Sequence, residues 1–108
     1  MRVAHTIRAL RATEVVASLA KLEGWTLSGD GDSLAIEKMF GFANYYQTIA
    51  FVNAVAFIAH AQDHHPELVL QQRQCLVRWR TDDVHGISLV DIESAKRVDA
   101  LQPEPAPS

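Results

Sequence analysis

The segment from Asn44 to Gln62 most constrains what this chain can fold into. Asn44 is a good helix N-cap, and Gln47 three residues on makes an Asn variant of the capping box. The spacing predicts a helix running to about Gln62. One face reads Tyr45, Ile49, Val52, Ala56 and Ala59, yet Phe51, Val55, Phe57 and Ile58 put bulky apolar groups on other faces. A helix that is apolar nearly all round is buried on more than one side. With 108 residues, of which 48% are hydrophobic, the chain supports one modest core and not two. One sheet in so small a domain covers one side of the helix. Part of it is therefore expected to lie in a subunit interface.

The rest of the chain supplies the sheet. Val15, Val16, Leu19 and Leu22 have helical spacing, with Thr13 as the expected N-cap and Gly24 as the stop. Trp25-Thr26-Leu27 reads as a short strand, and the turn over residues 29–32 makes a hairpin with a second strand from Leu34 to Phe40. Leu68 to Leu70 and Cys75 to Trp79 alternate as two further strands. Arg78 and Arg80 point to a solvated strand face, and Trp79 to the core. Residues 82–86 are a loop, and Ser88 caps a last helix carrying Leu89, Ile92, Ala95 and Val98. The order helix, two strands, helix, two strands, helix predicts an α+β fold: a four-stranded antiparallel sheet with helices packed on one face. We expect one domain over residues 1–101 and a flexible Pro-rich tail over 102–108.

Charge and cysteine use exclude several classes. A net charge of -3 argues against nucleic-acid binding, which calls for a basic face. A lone cysteine, Cys75, forms no intrachain disulfide and fits a reducing compartment. The first residues lack an apolar leader, and Asn53 and His60 break the longest apolar run before membrane-spanning length. The expectation is a cytoplasmic protein.

Chemistry concentrates just after the main helix. Three of the five histidines, His60, His64 and His65, fall within six residues, and Pro66 follows. The proline forces the chain out of helix, so the cluster sits at an element end. Imidazoles there carry protons near neutral pH, bind an acceptor-rich ligand, or simply complement the helix dipole. His60 and His64 stand at the i, i+4 spacing of a zinc pair, but no cysteine or glutamate pair completes a ligand set, and we expect no metal.

Phe40, Phe42, Asn44 and Tyr45, then Ala50 to Asn53, then Asp63-His64-His65-Pro66, then Thr81 and Gly86-Ile87-Ser88 with Asp91, together resemble the pterin-4a-carbinolamine dehydratases. The resemblance runs from about Leu34 to Leu101. It implies an enzyme that removes water from a 4a-hydroxytetrahydropterin to give a quinonoid dihydropterin, in tetrahydropterin recycling. It implies no cofactor, no metal, and a homodimer or homotetramer. His64 and His65 match the family's adjacent catalytic pair, and Pro66 matches. His60 stands where many members carry glutamate, and with Asp63 and Pro66 it is expected to bind substrate. Two positions depart: Gln72 replaces a usual aromatic, and Asp82 a third active-site histidine, with His85 three residues further on.

The dehydration needs an acid for the leaving hydroxyl and a base for the N5 proton, and a histidine pair supplies both. Asp82 accepts protons or hydrogen bonds but donates at neutral pH only if burial or a like charge, such as neighbouring Asp83, holds its proton on. The alternative class is a catalytically impaired relative acting as a protein-binding or assembly factor. Animal members of the family serve as dimerisation partners of a transcription factor, and dehydratase-like proteins encoded near carboxysome genes assist Rubisco assembly.

Overall fold

A computed structural model describes residues 7–101 of the chain. Its elements are α1 (Ala12–Leu19), β1 (Thr26–Ser28), β2 (Ala35–Gly41), α2 (Tyr45–Gln62), β3 (Glu67–Leu70), β4 (Gln74–Trp79) and α3 (Leu89–Asp99). The four strands form one antiparallel sheet in the order β1-β2-β4-β3. The expected α+β architecture is present. The tail expected over 102–108 lies outside the described residues.

Strand register decides what faces the helices. Ile36 stands opposite Trp79, and Phe40 opposite Cys75. With Val77 these are buried, and they pack with Val55, Ala59, Ile92, Ala95 and Val98 from α2 and α3. The other sheet face carries the row Glu37, Arg78 and Glu67. Arg78 reaches Glu37 at 2.9 Å and Glu67 at 2.6 Å, so it is the centre of an ion-paired row and not a freely solvated side chain.

Two local expectations need correction. Thr13 does not cap α1: Arg11 is the N-cap residue, and the Glu14 carboxylate accepts its backbone N–H at 2.9 Å. Glu14 is also gripped by Arg8 at 2.8 and 3.0 Å, so the acid three residues in does the capping that Thr13 was expected to do. The same helix ends at Leu19, before Gly24. Tight i→i−3 bonds from Lys21 and Leu22 close it, and Gly24 takes the left-handed turn into β1. The sequence left open which side of α2 turns to the sheet; the helix buries Thr48, Phe51, Val55 and Ala59. Phe51 wedges between Phe40 and Phe42 at ring separations of 4.7 and 5.0 Å, and that aromatic contact fixes the rotation of the helix. Tyr45, Tyr46 and Phe57 remain exposed.

The cap of α2 holds as read: the Asn44 side chain accepts the Gln47 backbone N–H, and the Gln47 side chain reaches back to the N–H of Ala43.

Candidate active site at the end of the main helix

The site begins with how α2 stops. Asp63 adopts the left-handed conformation (φ 51°), which turns the chain sharply after Gln62. Its N–H and that of His64 then fold back onto the last carbonyls, His64 donating to Ala59 at 3.1 Å. Pro66 forbids any return to helix and starts the run into β3. This closure turns the His64 side chain inward, where it is 15% exposed, and leaves His60, Asp63 and His65 on the surface around it. It also separates His60 from His64: the helix ends between them, so their spacing does not set two imidazoles on one helical face.

The inward imidazole meets α3. Its Nε2 lies 2.6 Å from Oδ1 of Asp91, which is fully buried. The other oxygen of Asp91 accepts the Thr81 hydroxyl at 2.7 Å and the Ser88 backbone N–H at 3.0 Å. The Ser88 and Thr81 hydroxyls are themselves 2.7 Å apart. A buried carboxylate needs this many donors, because leaving its lone pairs unmatched is costly. Its oxygens only accept, so the proton on His64 Nε2 points at Asp91 and the Nδ1 lone pair is left for chemistry. Below the ring lies Trp79, the last residue of β4, with the two ring centroids 5.4 Å apart and the planes 14° from parallel.

Asp82 and Asp83 follow Thr81 in a short 3-10 turn that ends on His85 in the left-handed conformation. The Asp82 side chain is 82% exposed and pairs with Arg80 at 3.1 Å. His85 is exposed on the same turn. Gln72 lies at the other end of β4, in the β3–β4 turn, where its carbonyl accepts the Thr48 hydroxyl at 3.0 Å. It lines an open groove of about 1040 Å³ with Phe42, Gln47 and Arg73. Among the described residues no group of three or more His, Cys, Asp or Glu side chains converges as metal ligands would.

Asp91 was legible only as part of a motif. The Ser88-x-x-Asp91 spacing announces a capping box, and the structure confirms one, since Ser88 Oγ accepts the Val90 N–H and Asp91 returns to the Ser88 N–H. The cap uses one carboxylate oxygen. The second, aimed at His64, has no local sequence signal because its partner is 27 residues away. Trp79 reads correctly as core, but its contact with His64 is likewise long-range.

The fold is an antiparallel sheet backed by helices, and at the end of its main helix an imidazole is hydrogen-bonded to a buried carboxylate, an arrangement able to take up and release a proton. The comparisons name the family. The model of the Pterin 4 alpha carbinolamine dehydratase family matches residues 8–101, taking in α1 and β1, which the motifs quoted above do not reach. A protein of Paracidovorax citrulli (strain AAC00-1) is 62% identical over 98 residues, covering 91% of this chain and 84% of its own. One of Bdellovibrio bacteriovorus is 48% identical over 98 residues, covering 87% and 78%. Both carry the name "Putative pterin-4-alpha-carbinolamine dehydratase". Among solved structures, a transcriptional coactivator/pterin dehydratase from Brucella melitensis superposes with a TM-score of 0.81 at 26% identity, covering 87% of this chain and 98% of that one. A pterin dehydratase-like protein identified as a RuBisCO assembly factor in the alpha-carboxysome gives 0.62 at 26% identity, covering 73% and 89%. The chain belongs to the pterin-4a-carbinolamine dehydratase family.

Proposed function

We propose that this protein dehydrates 4a-hydroxytetrahydropterins to quinonoid dihydropterins. The observation that carries this reading is the 2.6 Å contact between His64 and the buried Asp91. In the reaction the C4a–O bond breaks, the hydroxyl leaves as water after taking a proton, N5 gives up its proton, and a C4a=N5 double bond forms. His64 Nδ1 takes the N5 proton, and Asp91 balances the imidazolium that results. His65, exposed beside it, gives the proton to the leaving hydroxyl. Each such transfer is worth roughly 10²–10⁴-fold in rate. His60, Asp63 and Pro66 border the pterin. Asp82, exposed and paired with Arg80, serves as an acceptor for the pterin's N–H groups. No step calls for a cofactor or metal.

The experiment is the dehydration rate of freshly generated 4a-hydroxytetrahydropterin with and without protein, alongside His64→Ala. Acceleration that the variant loses supports the reading. A rate equal to the spontaneous one overturns it.

The second reading is an assembly factor for other proteins, favoured by Asp82 in the third histidine's place and by the likeness to the RuBisCO assembly factor. Capture of a specific client by a protein that lacks dehydration activity would select it. In either reading we take the chain as a homodimer or homotetramer that buries the outer side of α2. Tyr46 and Phe57, 82% and 74% exposed, lie three turns apart on one side of that helix. The lone buried Cys75 fits a cytoplasmic setting. No helix among the described residues is long and apolar enough to cross a membrane.

A further inference from the structure

One hydrogen bond does not orient an imidazole. The Asp91 contact fixes where Nε2 points but leaves the ring free to swing about the Nε2···Oδ1 line, carrying Nδ1 with it. The plane is set by something else. Trp79 lies under the ring, nearly parallel to it, at 5.4 Å and 14°. Trp79 itself has no freedom: it is 0% exposed, and its backbone is locked opposite Ile36 in the sheet. The indole is thus a fixed floor, and the imidazole resting on it has one edge on Asp91 and one edge left for a ligand.

This floor is kept at a cost. The Trp79 Nε1–H is buried with no hydrogen-bond partner among the described residues. A buried donor left unmatched costs about 1–3 kcal/mol. A leucine or phenylalanine at this inner position of β4 fills core space without that penalty. What the indole alone supplies is the widest and most electron-rich aromatic face of any side chain, the face that best accommodates a cation. The ring above it is the one that becomes a cation when it takes a proton.

We propose that Trp79 is the positioning residue of this site: its indole sets the plane of the His64 imidazole and supports the charge that ring carries after accepting a proton. The inference rests on the reading of His64 as the proton acceptor. The ionisable group bonded directly to His64 is Asp91 from α3, reinforced by the Thr81 and Ser88 donors. Arg80 and Asp82, next along the chain, pair with each other.

The test has two arms. The first needs no substrate. An imidazolium in contact with indole quenches its fluorescence, so wild-type emission falls as the pH is lowered and the His64 ring takes a proton. His64→Gln abolishes that fall, and Trp25, unchanged in both proteins, cancels in the comparison. Emission that falls equally in both overturns the proposal, whether or not the protein dehydrates pterins. The second arm compares Trp79→Phe, which keeps an aromatic plane, with Trp79→Leu, which does not. Displacing a catalytic group by about an ångström costs on the order of a hundredfold. We expect kcat to fall about ten- to a hundredfold in Trp79→Leu, with KM nearly unchanged, and Trp79→Phe to restore most of it. Equal behaviour of the two variants overturns the proposal. If Trp79→Leu does not fold, Trp79→Phe is judged against wild type, and loss of its activity overturns the proposal. A wild type that fails to dehydrate pterin removes the proposed function, and the emission arm then decides the role of Trp79 alone.

Discussion

Replacing Asp91 by asparagine changes one atom and reverses one hydrogen bond. In the native site both carboxylate oxygens accept, from His64 on one side and from Thr81 and Ser88 on the other. An asparagine keeps its oxygen for Thr81 and Ser88, which cannot both turn round because the Ser88 donor is backbone N–H. Its NH₂ then faces His64 Nε2 and forces the proton onto Nδ1, the edge meant to accept. Hydrogen bonds to a charged group are worth about 1.5–3 kcal/mol and neutral ones about 0.5–1.5. Each of the three contacts loses about 1–1.5 kcal/mol, and because a neutral amide costs less to bury than a carboxylate, the net loss comes to about 2–3 kcal/mol. A domain of this size has roughly 5–15 kcal/mol in hand, so Asp91→Asn folds, with its melting temperature lowered by about 10–20 °C. Activity falls further than stability does: the wrong tautomer forfeits the base contribution, about 10²–10⁴-fold. Dehydration rates measured well below the melting temperature, with nitrogen-15 spectra of His64 to report which nitrogen is protonated, check both halves. Thr81→Val is the control, since it removes one donor and leaves the tautomer alone. Full activity in Asp91→Asn, or a loss no larger than the unfolded fraction explains, would refute the reasoning.

Three further outcomes follow from the same structure. Burial pushes the Cys75 thiol up, and the side chain is 0% exposed. A thiol reagent at pH 8 should therefore react with the native protein on the order of a hundredfold more slowly than with the urea-unfolded chain. The Arg8 guanidinium, and then the Arg11 backbone N–H, hold the Glu14 carboxyl down to about 2 from an ordinary 4.5. A lowered carboxyl stabilises above its ordinary value and loses that contribution as pH falls through the folded one. Protection factors of the amides at the start of α1 should accordingly fall between pH 4.5 and 2, and Glu14→Gln should remove that fall. Phe57→Asp places a charge on the exposed side of α2 and should shift the mass seen by light scattering toward the monomer without loss of helix. An unchanged mass would exclude that side as the interface.

The sheet and the long helix were legible because their signals are local. Alternation in residues 34–40 and 75–79 set both central strands to within a residue of Ala35–Gly41 and Gln74–Trp79. Asn44 and Gln47 fixed the start of α2, and Pro66 its limit. What the sequence left open was rotation: an all-apolar helix has no preferred side in its own sequence, and the buried side was chosen by Phe51 meeting Phe40 and Phe42 across the sheet. The site divides in the same way. His64 could be singled out from His64-His65-Pro66, whereas Asp91 and Trp79, each brought to it from another element, could not.

The capping box of α3 explains why one carboxylate sits so deep. Asp91 occupies the first turn of that helix, where backbone N–H groups and the helix dipole favour a negative charge. Its cap partner, the Ser88 N–H, and the Thr81 hydroxyl complete the set of donors that makes burial tolerable. Once the charge is held for structural reasons, its second oxygen is available at little added cost to grip the imidazole that follows α2. The same residue that starts α3 therefore ties it to the end of α2, and any ligand that moves His64 pulls on both helices. Removing the Ser88 cap should weaken the helix and the site together. Removing His64 should leave the Ser88 and Thr81 contacts to Asp91, and with them the helix, in place. That asymmetry separates a carboxylate placed first for folding and used for proton transfer from one placed for proton transfer alone. Amide exchange along α3 in Ser88→Ala and His64→Ala reads it directly.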